Sequence, residues 1–408
     1  MPTPSPLLLP LHSLLVSGLL TRRDCESLLL VCRTWRTTVS AVVYGAHSLL
    51  LYSDVCRLHV LPRAKERPER LDAVLQRLFA RFPWLHIDRS LPPATDQQLQ
   101  RVHTQSYLHM VCSLSEKVAR SMTALDACER DTAGGCTVHT AVEAKKAYLR
   151  QFQSVAIGDD MSLMRHSLSA ARVAAGGACR AVDRVLQECG PSRNAFCVVR
   201  PPGHHAAACR TKGFCVFNNV AVAAFHAMEQ YHLSRVVIVD LDVHHGNGTQ
   251  EIIEHEPRVL YLSMHQRAPW FPNSGFAGEM GPFGNIVNVP LRGRSSAQHY
   301  RAQFSAHVLP RLRTFCPQLV LVSMGFDGAV QDPMGELRLD ATDFYWLTNE
   351  LCRVAWQCCE GKLVSVLEGG YHLGALADGA EQHVQALLHG SCRPDGLLVM
   401  EKTVSERK

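Results

Sequence analysis

Residues 195–200, 235–242, 258–265, 285–291, 319–324 and 362–367 run almost unbroken through aliphatic side chains, and such runs predict strands buried on both faces. Between them, 166–186, 218–232, 297–315, 341–359 and 373–388 read as helices, the first closed by Gly190-Pro191. Strands and helices alternating from about Ser53 onward predict an α/β domain: a central, mostly parallel sheet flanked by helices. The chain shows no internal repeat.

The first 55 residues break the pattern. Two leucine-rich segments flank Thr21-Arg-Arg-Asp24, whose threonine and acidic residue three later signal a helix start, so 1–55 reads as a short helical N-terminal extension. Leu9-Pro10, then Leu14, Leu15, Leu19 and Leu20, then Leu28, Val31-Cys32-Arg33 and Trp35-Arg36 resemble an F-box, a helical module that docks on ubiquitin-ligase scaffolds. That resemblance would make a ligase scaffold or a corepressor a partner. Leucine pairs at helical spacing are usually core, which favours an extension packed on the main domain. An organelle-targeting segment is a third reading, opposed by Asp24 and Glu26. The α/β domain is then assigned to 56–392 and a polar tail to 393–408.

Composition narrows the class. Over 408 residues, 47% hydrophobic and 19% charged, the chain suits a well-cored globular protein. A formal charge of +5 with scattered basic residues gives no electrostatic footprint for nucleic acid. Sixteen cysteines without a C-x-x-C pair favour a reducing compartment. No apolar run reaches the ~20 residues of a membrane helix, and no basic residue precedes Arg22 as a signal peptide would require. The expected setting is cytoplasmic, nuclear or both; the lack of a basic import cluster favours the cytoplasm.

Chemistry enters where strands stop. In Val236-Val-Ile-Val-Asp240-Leu-Asp242-Val-His244-His245-Gly246-Asn247-Gly248 an apolar strand acquires two carboxylates and an imidazole at alternate positions, hence on one face. Ligands of open α/β sheets sit at such strand ends, and burying two neighbouring acids requires a cation or proton donors. Metal binding follows, ahead of a merely hydrogen-bonded strand end. Leu319-Val-Leu-Val-Ser-Met-Gly325-Phe326-Asp327 repeats the signal, with Asp327 as a third ligand. Two aspartates and one histidine leave a fourth position for water, as in catalytic zinc sites. Arg200-Pro-Pro-Gly203-His204-His205 presents adjacent imidazoles as general-base candidates, the plain alternative being a surface loop. Leu367-Glu368-Gly369-Gly370-Tyr371 adds glycines for close backbone approach and a phenol suited to an oxyanion.

In order, RPPGHHA, GFCVFNN, DLDVHHGNGTQ, FPNSG, GFDG with QDP, and LEGGY resemble the strand-end motifs of the histone deacetylase family. The resemblance covers roughly 67–388, including Glu66-Arg-Pro-Glu-Arg70-Leu near its start. It implies an arginase-like α/β fold and a zinc-dependent amidohydrolase acting on acetylated lysine side chains of proteins, without direct nucleic-acid or membrane binding. By motif it implies Asp242, His244 and Asp327 as zinc ligands, His205 as general base, His204 paired with Asp240, and Tyr371 facing the substrate carbonyl. It further implies a structural K+ or Na+ near Asp240, Asp242, His244 and Ser263, and a tunnel walled by Phe214 and Phe271, with Gly213 and Met334 also contacting substrate. Asp159 takes the place of the family's rim aspartate, with Asp160 adjacent. Asn247, the GFD context and the tyrosine of LEGGYHL resemble class II; vertebrate class IIa relatives carry histidine at the tyrosine position, so Tyr371 implies full competence. Leu61-Pro-Arg-Ala-Lys-Glu-Arg-Pro68 lacks the family's usual histidine-proline, which leaves the entrance loop open.

Three rivals remain. Acetylpolyamine deacetylation uses the same machinery, but polyamine-selective relatives carry glutamate where Met334 follows Asp332-Pro333. An arginase-type two-metal hydrolase needs more carboxylates than one Asp-x-Asp-x-His and a distant aspartate supply. A non-catalytic adaptor is opposed by the intact ligand set and tyrosine.

Overall fold

The computed structural model describes residues 48–61, 64–133, 154–158, 160–187 and 192–390, the side chains of 127–133 excepted. Its strands are β1 (Ser48–Tyr52), β2 (His86–Asp88), β3 (Val155–Ala156), β4 (Ser162–Leu163), β5 (Asn194–Val198), β6 (Val236–Asp240), β7 (Val259–Gln266), β8 (Ile286–Leu291), β9 (Leu319–Met324) and β10 (Leu363–Leu367). Eight of them form one sheet in the order β2-β1-β5-β10-β9-β6-β7-β8, with every pairing parallel. β3 and β4 make a separate antiparallel pair. Every residue of β1, β5, β6, β7, β9 and β10 is buried, as their aliphatic runs require of strands covered on both faces.

The helices are α1 (Glu69–Arg81), α2 (Asp96–Gln100), α3 (Gln105–Ala133), α4 (Ser167–Leu186), α5 (Asn219–Tyr231), α6 (Asn247–Ile253), α7 (Ala297–Gln303), α8 (Leu309–Phe315), α9 (Ala341–Cys359) and α10 (Leu373–Gly390). They pack on the sheet and on one another, α9 and α1 each against α10, and α4 against α5. Local chemistry sets their starts. Asp340 caps α9 by accepting from Thr342 N (2.7 Å), and Asp343 reaches back to Asp340 N (2.8 Å). Asn218 caps α5 by accepting from Ala221 N (3.0 Å), while its amide nitrogen donates to Ala206 O (3.0 Å). The second contact ties the helix to the loop carrying His204 and His205.

Two expectations are corrected. Residues 48–52, assigned above to the helical extension, are strand β1, an internal strand paired with β2 and β5. A short leucine run has no periodicity that separates strand from helix, and the sheet claims it. The helix expected over 297–315 is α7 and α8 joined by a π turn, Phe304–Val308, in which Leu309 N donates to Phe304 O. Pro310 has no N–H and its ring crowds the preceding turn, which accounts for the change of pitch. The F-box-like pattern of 9–36 and the tail 393–408 lie outside the described residues. Among the described residues no helix is long and apolar enough to cross a membrane.

Strand order places the site. The chain leaves β5 and returns at β6 three positions away, with β10 and β9 between them. In a parallel sheet the four C-terminal ends face the same way, and a crevice opens where strand order reverses.

Candidate active site

Each of these four central strands delivers part of one cluster. Beyond β6 come Asp242 and His244, beyond β9 comes Asp327, and one oxygen or nitrogen from each lies within 4.8 Å of the others, all three residues buried. Backbone groups orient them: Asp242 Oδ2 accepts from Gly369 N (2.8 Å), Asp327 Oδ1 from Val243 N (2.9 Å), and Asp242 Oδ1 from His244 N (2.9 Å). His244 Nε2 faces the Met334 carbonyl (3.1 Å), which only accepts, and Nδ1 faces Asp242 (3.0 Å) and Asp327 (3.2 Å); burial opposes protonation, but the two carboxylates outweigh it and raise the imidazole to about 10, so Nδ1 holds a proton that a metal ion would displace.

This donor set fits a divalent cation. Asp327 Oδ2 is buried and has no hydrogen-bond partner. Burial and the nearby Asp242 charge push the Asp327 carboxyl up, a strain that a cation between the two would relieve. Gly369 is required here, because a Cβ would collide with Asp327 Oδ2.

Beyond β5 lies the histidine pair. His204 Nδ1 is 3.1 Å from Asp240 Oδ2, which also accepts from Tyr261 OH (3.0 Å). Burial opposes protonation of His204, but the Asp240 and Asp242 charges outweigh it and raise its pKa to about 10. His205 Nδ1 is paired with Asn247 Oδ1 (2.8 Å). Burial, with His204 and His244 nearby, holds His205 well below the usual imidazole range. The two rings lie 3.9 Å apart between centroids, and the site therefore pairs a cationic imidazole, His204, with a neutral one, His205.

A cavity of about 330 Å³ reaches His205, His244 and Tyr371, with Phe214 and Phe271 on its walls and Met334 also lining it. The Tyr371 ring is 6.0 Å from that of Phe214, and the Phe271 ring 5.1 Å from that of His205. Burial pushes the Tyr371 phenol well up, so it stays a donor. Gly213 lies in the left-handed region (φ 56°) against the His205 ring, and Phe214 shares that conformation (φ 63°). A non-glycine residue there stores on the order of 1–2 kcal/mol, a strain that recurs at functional sites.

The structure therefore gathers Asp240, Asp242, His244, Asp327, His204, His205, Gly213, Phe214, Phe271, Met334 and Tyr371 around one cavity and its floor. Ser263 pairs with Asp240 in the sheet but turns its hydroxyl to His265 Nδ1 (2.8 Å). Asp159 lies outside the described residues. The neighbouring Asp160 lines the cavity, its carboxylate accepting from Gly213 N at 3.0 Å.

Sequence reasoning assigned no role to a buried scaffold beneath Tyr371. Arg70 donates to Glu368 O (2.5 Å) and Gly370 O (2.6 Å), and its guanidinium lies 4.9 Å from the Tyr371 ring centre. Asp332 Oδ2 accepts from Tyr371 N (2.6 Å) and His372 N (3.0 Å). Glu66 receives a two-pronged contact from Arg200 (2.5 and 2.6 Å) and one from Arg70 (3.1 Å). Burial alone would raise the Glu66 pKa, but Arg200 overcomes it and brings it to about 2. The Glu66-Arg-Pro-Glu-Arg70 motif was the available signal, though nothing in it says that Glu66 and Arg70 are buried.

Comparison with known proteins agrees with this geometry. Residues 64–387 match the histone deacetylase domain. A Caenorhabditis elegans protein, histone deacetylase 6, is 40% identical over 237 residues, covering 56% of this chain and 24% of that protein. The Mus musculus polyamine deacetylase HDAC10 is 37% identical over 333 residues, covering 79% of this chain and 45% of that protein. The chain thus spans less than half the length of either relative. The crystal structure of the HDA15 HD domain superposes with a TM-score of 0.71 at 31% identity, covering 85% of this chain and 89% of that one.

Proposed function

This chain belongs to the histone deacetylase family, and from that premise we propose that it is a class II zinc-dependent lysine deacetylase, hydrolysing N-acetyl-lysine side chains of proteins to lysine and acetate. One observation carries the reading. One cavity is lined by His244 of the Asp242–His244–Asp327 cluster, by His205, whose imidazole is held neutral, and by Tyr371, whose phenol keeps its proton.

An amide resists hydrolysis because resonance stabilises its carbonyl and an amine is a poor leaving group. Zinc, held by Asp242, His244 and Asp327, would supply a Lewis acid that polarises the carbonyl and acidifies water at the open fourth position. The aromatic walls at Phe214 and Phe271 hold an aliphatic lysine stem and exclude bulk water. His205 donates its Nδ1–H to the Asn247 side-chain oxygen, which leaves the Nε2 lone pair free to take the proton of the attacking water. Tyr371 donates to the oxygen on which negative charge develops. His205 then hands that proton to the departing amine, while His204, held protonated by Asp240, keeps its charge beside it. A monovalent cation beside Asp240 and Ser263 belongs to the same reading and would appear as K+-dependent activity. Chromatin targets and a ligase scaffold or corepressor at residues 1–55 are further proposals that rest on sequence alone.

The name of the mouse relative gives the second reading, acetylpolyamine deacetylation. The apolar Met334 at the cavity speaks for lysine stems instead. The test is turnover of a fluorogenic acetyl-lysine peptide and of acetylspermidine by wild type and Tyr371→Phe. Peptide turnover that collapses in Y371F is expected. Turnover of acetylspermidine alone moves the assignment to polyamines, and turnover of neither by a zinc-loaded chain points to an adaptor.

A further inference from the structure

Glu368 has no part in the chemistry above, yet its side chain is fully buried among the strand ends that carry it. Directly after β10, its Oε2 accepts from the backbone N–H of Gly203 (2.7 Å) and of His204 (3.2 Å). Its Oε1 accepts from the Ser323 hydroxyl on β9 (3.0 Å), and its own carbonyl is held by Arg70. One side chain thereby ties the loop after β5 to the ends of β9 and β10. Two N–H groups converging on one carboxylate oxygen make a short, directional contact. The His204 and His205 rings touch, 3.9 Å between centroids and tilted by 42°, so a shift of this backbone displaces both imidazoles.

We propose that Glu368 is a positioning residue for the His204–His205 pair, fixing the loop backbone from which both imidazoles reach the reacting atoms. The inference rests on the hydrolase reading above. It acts through hydrogen bonds rather than charge: glutamine keeps an acceptor oxygen for the two N–H groups, and the Ser323 hydroxyl can turn to accept from the new amide.

Glu368→Ala and Glu368→Gln are compared with wild type as zinc-loaded full chains, by peptide turnover, zinc content, thermal unfolding and the ¹⁵N-imidazole resonances of His204 and His205. E368A is expected to lower kcat on the order of 10–100-fold, the loss typical of an outer-shell partner, with KM and zinc content essentially unchanged. E368Q should recover most of that loss, and the imidazole resonances should shift in E368A and return in E368Q. Wild-type kcat in E368A, or E368Q as impaired as E368A, overturns the proposal. If wild type turns over no substrate, the deacetylase reading fails separately and the resonances still decide: unmoved in folded E368A, they overturn the positioning role. If E368A does not fold, Ser323→Ala removes one of the three contacts; a several-fold loss of kcat supports the role, and unchanged kcat and resonances overturn it.

Discussion

Glu66 sits between two buried arginines, and that arrangement fixes how the protein responds to acid. Its folded-state pKa of about 2 lies below the ordinary 4.5. The contribution is therefore fully present above about pH 4.5 and is lost as pH falls toward 2, about 3 kcal/mol by proton linkage. Glu66→Gln should cost about 3–5 kcal/mol at pH 7, because it leaves buried guanidinium groups without their counter-charge. In urea unfolding the gap between wild type and E66Q should narrow from pH 5 to pH 3. At the metal cluster, Asp327→Asn should abolish stoichiometric zinc, read by atomic absorption, and peptide turnover with it. The cluster residues were legible because polar side chains interrupt apolar strands at alternate positions. The roles of Glu66, Asp160 and Glu368 were not, since depth of burial is a property of the folded chain.

Among the elements, the parallel strands and most of the long helices could be read from aliphatic runs and helical spacing. β1, the three-residue β2 and the two-residue strands β3 and β4 could not, the first because leucines suit either state and the others because so few residues carry no pattern. The consequence at β1 is testable. β2 pairs only with β1 among the described strands, and β5 has β1 as its outer neighbour. A chain beginning at residue 56 should detach β2, leave the apolar edge of β5 open and aggregate, whereas one beginning at residue 46 should retain the fold. Size-exclusion chromatography and circular dichroism of both check this. Asn218→Ala should cost about 1–2 kcal/mol by removing the α5 cap and should also lower kcat, because the same amide holds the loop of the histidine pair.

For the molecule as a whole, a metal held by Asp242, His244 and Asp327 would couple stability to occupancy. Chelator treatment should lower the unfolding temperature, and added zinc should restore it; binding at a thousand-fold excess over Kd contributes about 4 kcal/mol. Asp242→Ala should show no such zinc response.

The strand order has a consequence for how the protein is made. β5 and β6 are complete by residue 240, yet the two positions between them belong to β9 and β10, which end at Met324 and Leu367. Until those segments leave the ribosome, β5 and β6 lack the two strands that lie between them in the folded sheet, where they stand about 14 Å apart, three strand spacings. The inner edges of β5 and β6 stay unpaired meanwhile, and chaperone demand should peak during this interval of translation. Because Asp327 and Tyr371 arrive with the closing strands, the growing polypeptide has no working hydrolase until it can shield its own core.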